Sequence, residues 1–186
     1  MNASQASGKL PEHSGVRSAD DRSLATSPAD SVRERERAHS LAHRALASRE
    51  RTERELRDLL GRREVATAAI EAIVADLLDV GLLDDARYAR CFTEDRRLLD
   101  RWGSERIARE LSRRGVDAAL VAAALAEGSA EAELATAVNL LTERFPSLDD
   151  ERERDRAWRM LVRRGYAPEL AYEAVRARER AAASDA

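Results

Sequence analysis

The stretch from Gly81 to Phe92 reads Gly-Leu-Leu-Asp-Asp-Ala-Arg-Tyr-Ala-Arg-Cys-Phe, and it decides the fold. Glycine readily adopts a positive φ, so Gly81 is suited to ending a helix. Leu82 and Leu83 are expected to anchor the following turn in a core. Asp84 belongs to the residue types preferred at helix N-caps. The stretch therefore predicts the end of one helical unit and the start of the next.

The helix that this stretch opens has a periodic face. Tyr88, Cys91, Phe92, Asp95 and Leu99 fall at spacings that share one side of an α-helix. We predict that Tyr88 and Phe92 are buried. Cys91 has no histidine beside it in the sequence, which favours a small core thiol over a nucleophile.

On either side of this helix the chain repeats itself. The pattern Arg-Arg-x-(Val or Tyr) stands at 62–65, at 113–116 and at 163–166, and apolar residues occupy matching positions around each copy. Agreement of the whole series at a spacing near 50 residues indicates an internal repeat. No run of Val, Ile and Thr predicts a strand. The fold class is therefore all-α, a tandem array of three three-helix repeats that resemble helix-turn-helix units, with about nine helices.

The repeat register gives domain boundaries. Residues 1–31 are rich in Ser, Ala, Asp, Gly and Pro without an apolar period, which is typical of a disordered leader. The end of the chain, 181–186, is expected to fray. The three repeats are predicted at 32–83, 84–128 and 129–180.

Composition limits the compartment and the class of partner. Charged residues make up 36% of the 186 residues, yet the net charge is only −3, so any nucleic-acid contact must come from a local patch. A single cysteine excludes an intramolecular disulfide and suits a reducing compartment. No apolar run is long enough for a membrane span, and no signal peptide pattern begins the chain. We expect a cytoplasmic protein that does not engage a membrane.

Residues arranged for catalysis or metal binding are not evident. The sequence holds no Gly-rich phosphate loop, no His-Glu-x-x-His and no pair of cysteines. The adjacent Asp84 and Asp85 are better explained as capping residues than as a general acid and base. His39 and His43 have the spacing of metal ligands on a helix, but no third ligand is near them in sequence. We predict no enzyme, no catalytic residues, no cofactor and no metal.

A patterned arginine surface remains. Arg106, Arg109 and Arg113 lie at i, i+3 and i+7 of one predicted helix, and equivalent arginines recur 50 residues later. The first repeat differs, because acidic residues hold two of its matching positions. The pattern is consistent with an ordinary solvated face and with a surface for an anionic groove, of phosphate or acidic protein.

The loop before this helix adds an aromatic residue. Trp102 stands among arginines, where it could stack on a base, anchor an interface or pack across its own turn. The complete set of candidate binding residues is Arg96, Arg97, Arg101, Trp102, Arg106, Arg109, Arg113, Arg114, Arg156, Arg159, Arg163 and Arg164.

The run from Gly81 to Phe92, with Trp102-Gly103 and the segment 106–116, resembles the bacterial RecX regulatory proteins over about residues 36–178. The resemblance implies a tandem array of three-helix units without catalytic residues. It implies binding to the RecA recombinase, chiefly to the RecA filament on single-stranded DNA, with inhibition of filament growth, strand exchange and ATPase activity. Glu64 departs from the pattern, since the later repeats have glycine at that position.

Two other functions remain open beside the one that the resemblance implies. A direct DNA-binding protein could use helix-turn-helix-like units on duplex, although the near-neutral charge argues against it. A helical scaffold could serve another protein partner. With RecA as partner we expect a monomer, with at most weak direct contact to DNA.

Overall fold

The computed structural model describes the backbone of residues 28–184, and within that range the chain forms helices and no strand. The helices form the tandem array of three three-helix repeats predicted from the sequence. They are α1 (Pro28–Ser48), α2 (Glu53–Gly61), α3 (Thr67–Asp79), α4 (Asp85–Leu98), α5 (Ser104–Arg113), α6 (Ala118–Ala126), α7 (Ala130–Arg144), α8 (Glu151–Arg164) and α9 (Pro168–Ser184).

The two ends of the chain are covered in part. The predicted disordered leader lies outside the described residues as far as residue 27, and α1 begins at Pro28 within it. The predicted frayed tail is helical as far as Ser184, and its last two residues lie outside the described range. The repeat boundaries at 32–83, 84–128 and 129–180 stay a prediction.

Each group of three helices surrounds its own buried cluster. Leu56 and Ile73 represent the first cluster, Ile107 the second, and Leu141 and Leu161 the third. Fully burying an aliphatic side chain of this size stabilises a fold by about 1.5–3 kcal/mol. Because these clusters are small, contacts between neighbouring repeats should contribute much of the stability.

The helix starts follow their N-caps. Asp84 accepts a hydrogen bond from the backbone N–H of Arg87 at 2.9 Å, as its residue type predicts. Thr52 accepts from the N–H of Glu55 at 3.1 Å at the start of α2. The carboxylate of Glu55 does not complete a capping box, because it turns towards Arg114, a residue of the next repeat.

The turn after each second helix uses the left-handed backbone region. Gly115 and Gly165 have φ of 87° and 90°, and Glu64 takes φ of 57° at the matching position of the first repeat. A side chain in this region costs roughly 1–2 kcal/mol. The departure of Glu64 from the glycine pattern therefore preserves the turn geometry at a local energetic cost.

Neighbouring repeats join head to tail through their second helices. The N–H groups of Gly103 and Glu105, at the start of α5, donate to the carbonyls of Arg164 and Gly165 at 3.0 Å each. An added Cβ on Gly103 would overlap with backbone atoms of Gly165 and Tyr166. Glycine at residue 103 is therefore required by the close approach of two backbones. We call this contact the α5–α8 junction.

A related junction joins α2 to α5. The hydroxyl of Thr52 donates to the carbonyl of Arg114 at 2.6 Å. In both junctions the C-terminal carbonyls of one helix meet the N-terminus of another, so the two helix dipoles attract each other. The first and second repeats, and the second and third, are thus held by the same kind of contact.

A carboxylate from the following repeat completes each junction. Asp85, on α4, accepts from the N–H of Glu53 at 2.9 Å, and Glu133, on α7, accepts from the N–H of Ser104 at 2.8 Å. Burial is the largest influence on Asp85 and raises the pKa of its carboxyl. Asp85 was predicted to favour the start of its own helix, and it also caps the start of α2.

The predicted face of α4 is partly wrong. Tyr88 is buried, but Phe92 is half-buried and Cys91 is exposed. The inward face runs instead through Asp85 and Thr93, because the capping bond to α2 turns the start of α4 towards the first repeat. Cys91 therefore lies on the outer side of the helix and is not a core thiol.

Two further apolar residues lie outside the core. Leu82 is 50% exposed, whereas Leu83 is buried in the first cluster, so only one of the two leucines anchors the turn. Leu99 is also exposed, beyond the end of α4 at Leu98. Asp95 is exposed as well and lies on the same side of α4 as Cys91, so this side of the helix faces solvent.

Gly103→Ala should destabilise the protein by about 2–3 kcal/mol, because a side chain there forces the α5–α8 junction apart. Gly61→Ala is the matched control. Nothing lies near its added Cβ, so it should raise the free energy of unfolding by about 0.5 kcal/mol. Urea denaturation followed by circular dichroism measures both. Equal stability of the two variants would show that the close approach is unimportant.

Candidate functional site

The candidate arginines divide into those that hold repeats together and those that face solvent. Arg114 belongs to the first group. Its guanidinium donates to Glu55 of the first repeat and to the hydroxyl of Tyr88, each at 2.9 Å, and to Glu110 at 3.0 Å. The side chain is 22% exposed, so it is poorly placed to meet a partner.

The carboxylate of Glu110 is shared by two arginines. Hydrogen bonding to Arg113 is the main cause that lowers the pKa of Glu110, and bonds from Arg114 lower it further. Because the pKa of Glu110 is lower in the folded than in the unfolded protein, the ionised carboxylate stabilises the fold at pH values above its unfolded-state pKa. This stabilisation is lost as the pH falls through the folded-state pKa. Burial raises the pKa of the nearby Tyr88 hydroxyl, which stays protonated at neutral pH.

Arg164 occupies the position that matches Arg114 in the third repeat and also has a structural role. It donates to the carbonyl of Asp100 at 2.8 Å, and Tyr166 donates its hydroxyl to the carbonyl of Arg101 at 3.1 Å. Burial raises the pKa of Tyr166 to about 12. Both contacts fasten the third repeat to the loop between α4 and α5.

Two arginines around that loop are also engaged within the protein. Arg97 donates to the carbonyl of Leu125 at 2.9 Å, between α4 and α6. Arg101 forms an ion pair of 2.7 Å with Glu143 on α7. Their contacts therefore position the loop, although the Arg101 side chain stays 39% exposed.

Trp102 packs inside this arrangement. Its ring meets the edge of Phe92 at 6.4 Å between centroids, and the guanidinium of Arg106 lies 3.9 Å from its centroid. Arg96 lies 5.5 Å from the same ring and pairs with Asp100. Cation–π contacts of this kind hold the arginines over the aromatic ring. The ring is half-buried within the second repeat.

The outer face of α5 carries arginines that pair with acidic neighbours. Arg109 lies 3.6 Å from Glu105, and Arg113 lies 2.7 Å from Glu110. Both arginine side chains are strongly exposed, so these ion pairs contribute little to stability and can exchange for a partner. This face is accessible, but its own carboxylates reduce its positive potential.

The third repeat forms an open cationic cleft of about 430 Å³. Phe145 and Met160 line it together with arginines from α7 and α8. Several stand in the last turn of their helices, where the helix dipole favours cations. The arginines of this third-repeat cleft are Arg144, Arg156, Arg159, Arg163 and Arg164.

Pairing within the third-repeat cleft is sparse. Among the described residues, Arg159 pairs with Asp155, and Arg164 is engaged by a backbone carbonyl. No ion pair to Arg144, Arg156 or Arg163 is found in that part of the chain. The cleft therefore concentrates more uncompensated positive charge than the face of α5.

Sequence reasoning missed Arg144 and Phe145 as site residues. They lie at the end of α7, just before Pro146 breaks the helix. The sequence held one signal, the helix break at Pro146, because the chain turns there and brings the last residue of α7 beside α8. Recognising it required the path of the chain after the break.

The remaining candidates carry no site. His39 and His43 are exposed with rings 4.2 Å apart, and over the described residues no cluster of three metal-ligating side chains occurs. None of the helices that the structure describes combines the length and apolar character that crossing a membrane requires.

Comparison with known proteins identifies the family. Family models for the first and the second three-helix domain of RecX match residues 38–77 and 84–125. A regulatory protein RecX from Streptomyces lividans is 33% identical over 144 residues, covering 76% of this chain and 77% of that protein. The chain belongs to the RecX family. A RecX protein from Mycobacterium sp. (strain KMS) is 35% identical over 147 residues, covering 75% and 80% of the two chains.

Solved RecX structures agree with the fold. A crystal structure of RecX from Lactobacillus salivarius superposes with a TM-score of 0.73 at 20% identity, covering 80% of this chain and 98% of the other. At this identity the likeness establishes the helical architecture alone. The matched RecX relatives are named regulatory proteins, which is consistent with the absence of a recognisable catalytic motif from the sequence.

Arg114→Ala should destabilise the protein by about 2–3 kcal/mol, because it leaves Glu55 and Glu110 without a buried partner. The control is Arg113→Ala, which removes a 70% exposed partner of the same Glu110. It should leave the free energy of unfolding nearly unchanged. Similar losses in both variants, measured by urea denaturation, would contradict the division between structural and free arginines.

Proposed function

We propose that this protein binds the RecA recombinase and its nucleoprotein filament on single-stranded DNA. Binding restrains filament growth, strand exchange and ATP hydrolysis, and so modulates homologous recombination and DNA repair in the bacterial cytoplasm. Membership of the family of regulatory RecX proteins supports this function. The observation that carries it is the recurrence of exposed arginines on two consecutive second helices.

The arrangement of those helices suits a long, repetitive partner. The α5–α8 junction places the C-terminal end of α8 against the start of α5. The exposed arginines of α8, Arg156 and Arg163, are therefore followed by those of α5, Arg109 and Arg113. A filament presents the same surface at regular intervals. Weak contacts made by several repeats then add through effective concentration, although each exposed ion pair contributes little.

No covalent chemistry is required of such a regulator. A rigid protein that occupies a filament surface opposes addition of subunits and the movements that accompany strand exchange. ATP hydrolysis then slows because fewer recombinase subunits are in the filament, or because the subunits that remain cannot make the movements that hydrolysis requires. The protein acts as a monomer in this proposal, and it uses neither a metal nor a cofactor.

Replacing Arg109, Arg113, Arg156 and Arg163 by Gln should weaken inhibition at least tenfold. The measurement is RecA ATPase activity on single-stranded DNA, titrated with wild-type and variant protein at two salt concentrations. If the contacts are electrostatic, the difference in half-inhibiting concentration between wild type and variant should shrink as salt rises, because salt also weakens the wild-type contacts.

The matched control replaces Arg35, Arg44, Arg90 and Arg176, which are exposed outside the candidate surface. It removes the same charge and should retain half-inhibition near the wild-type concentration. Circular dichroism verifies that both variants remain helical. Unchanged inhibition by the first variant, or equal loss in the two, would refute the proposed contact surface. An inactive wild-type protein would refute the function itself.

A further inference from the structure

The third-repeat cleft differs in chemistry from the face of α5. On α5 the exposed arginines face carboxylates of their own helix, at Glu105 and Glu110. In the cleft, Arg156 and Arg163 have no such partner among the described residues. Three of the cleft arginines, Arg144, Arg156 and Arg163, are therefore available to an external anion without first breaking an ion pair within the described residues, whereas Arg159 would exchange its pair with Asp155.

The spacing of the cleft arginines suits a chain of anions. Arg156, Arg159 and Arg163 follow one side of α8, and a helix rise of about 1.5 Å per residue separates them by roughly 4.5 and 6 Å along its axis. Arg144 approaches from the end of α7. Guanidinium groups arranged in this way can bind successive phosphates with paired N–H donors.

The apolar lining of the cleft adds a second kind of contact. Phe145 is half-buried and lines the cavity together with Met160. An aromatic ring beside a cationic groove is the combination that binds single strands, since every base has a face that stacks. Trp102 cannot supply this contact without rearrangement, because its ring already packs against Phe92 and Arg106.

We infer that the third-repeat cleft binds the phosphodiester backbone of single-stranded nucleic acid, with one base against Phe145. This goes beyond the proposed function, because the contact requires no recombinase. A duplex fits less well, since its bases are stacked on one another and do not present a free face to Phe145. An acidic peptide would pair with the arginines but would leave the ring of Phe145 unused.

The test measures binding of the full-length protein to a fluorescein-labelled oligothymidine of about 20 nucleotides by fluorescence anisotropy. The variant Arg144→Gln/Arg156→Gln/Arg163→Gln should bind at least tenfold more weakly. Each lost phosphate contact also reduces the dependence of log affinity on log salt by about 0.7, so the slope should become shallower by about 2.

Two further variants separate charge from folding. The triple Lys variant at the same positions keeps the charges but loses the paired donors, so it should restore the wild-type salt slope and recover part of the affinity. The variant Arg35→Gln/Arg44→Gln/Arg90→Gln removes the same charge elsewhere on the surface. It should bind within about twofold of wild type, with an unchanged dependence of log affinity on log salt. Equal loss in this control would overturn the assignment to the cleft.

The aromatic contact has its own readout. Phe145→Leu keeps an apolar side chain in the third cluster and should weaken binding about threefold without changing the salt slope. Tighter binding to a duplex of the same length would overturn the inference, as would displacement of the oligothymidine by polyglutamate at equal charge concentration. Wild-type affinity in the cleft triple variant would do the same.

Discussion

The backbone contact between Gly103 and Gly165 is the constraint on which the arrangement of repeats depends. It brings the last carbonyls of α8 onto the first N–H groups of α5, with no space for a side chain. The same direction of contact joins α5 to α2 through Thr52. Because each helix end satisfies the polar groups of its neighbour, the small clusters of the separate repeats become parts of one array. Arg114 and Arg164 strengthen the two junctions, which removes them from the surface available to a partner.

Much of the helical architecture could be predicted from local signals. The predicted start at Asp84 depends on contacts within a few residues, and the structure contains this cap. The outward side of α4 could not be obtained in this way. Asp85 was expected to serve its own helix, but its bond to Glu53 comes from a neighbouring repeat and helps to set which side of α4 is buried. The exposure of Cys91 follows from that tertiary contact and not from the spacing of apolar residues.

The repeat also predicted which positions carry arginine, but not which arginines are free. Arg113 and Arg114 are neighbours in the sequence and share Glu110, yet only Arg114 also reaches Glu55 of the preceding repeat. Such a difference depends on how repeats dock. Arg144 was missed because it lies on a first helix, outside the repeated segment that drew attention to the second helices. Pairing of charges, rather than their number, therefore separates the face of α5 from the third-repeat cleft.

Hydrogen exchange of the full-length protein, alone and on RecA filaments assembled on single-stranded DNA, tests the central claim most directly. Amides of residues 103–106 should be protected in the free protein and change little on binding, because the α5–α8 junction already holds them. Peptides covering residues 144–163 should gain protection on the filament, because they line the third-repeat cleft. Fast exchange at 103–106 in the free protein, or no gain of protection at 144–163 on the filament, would contradict a rigid array whose exposed arginines on α5 and α8 bind together.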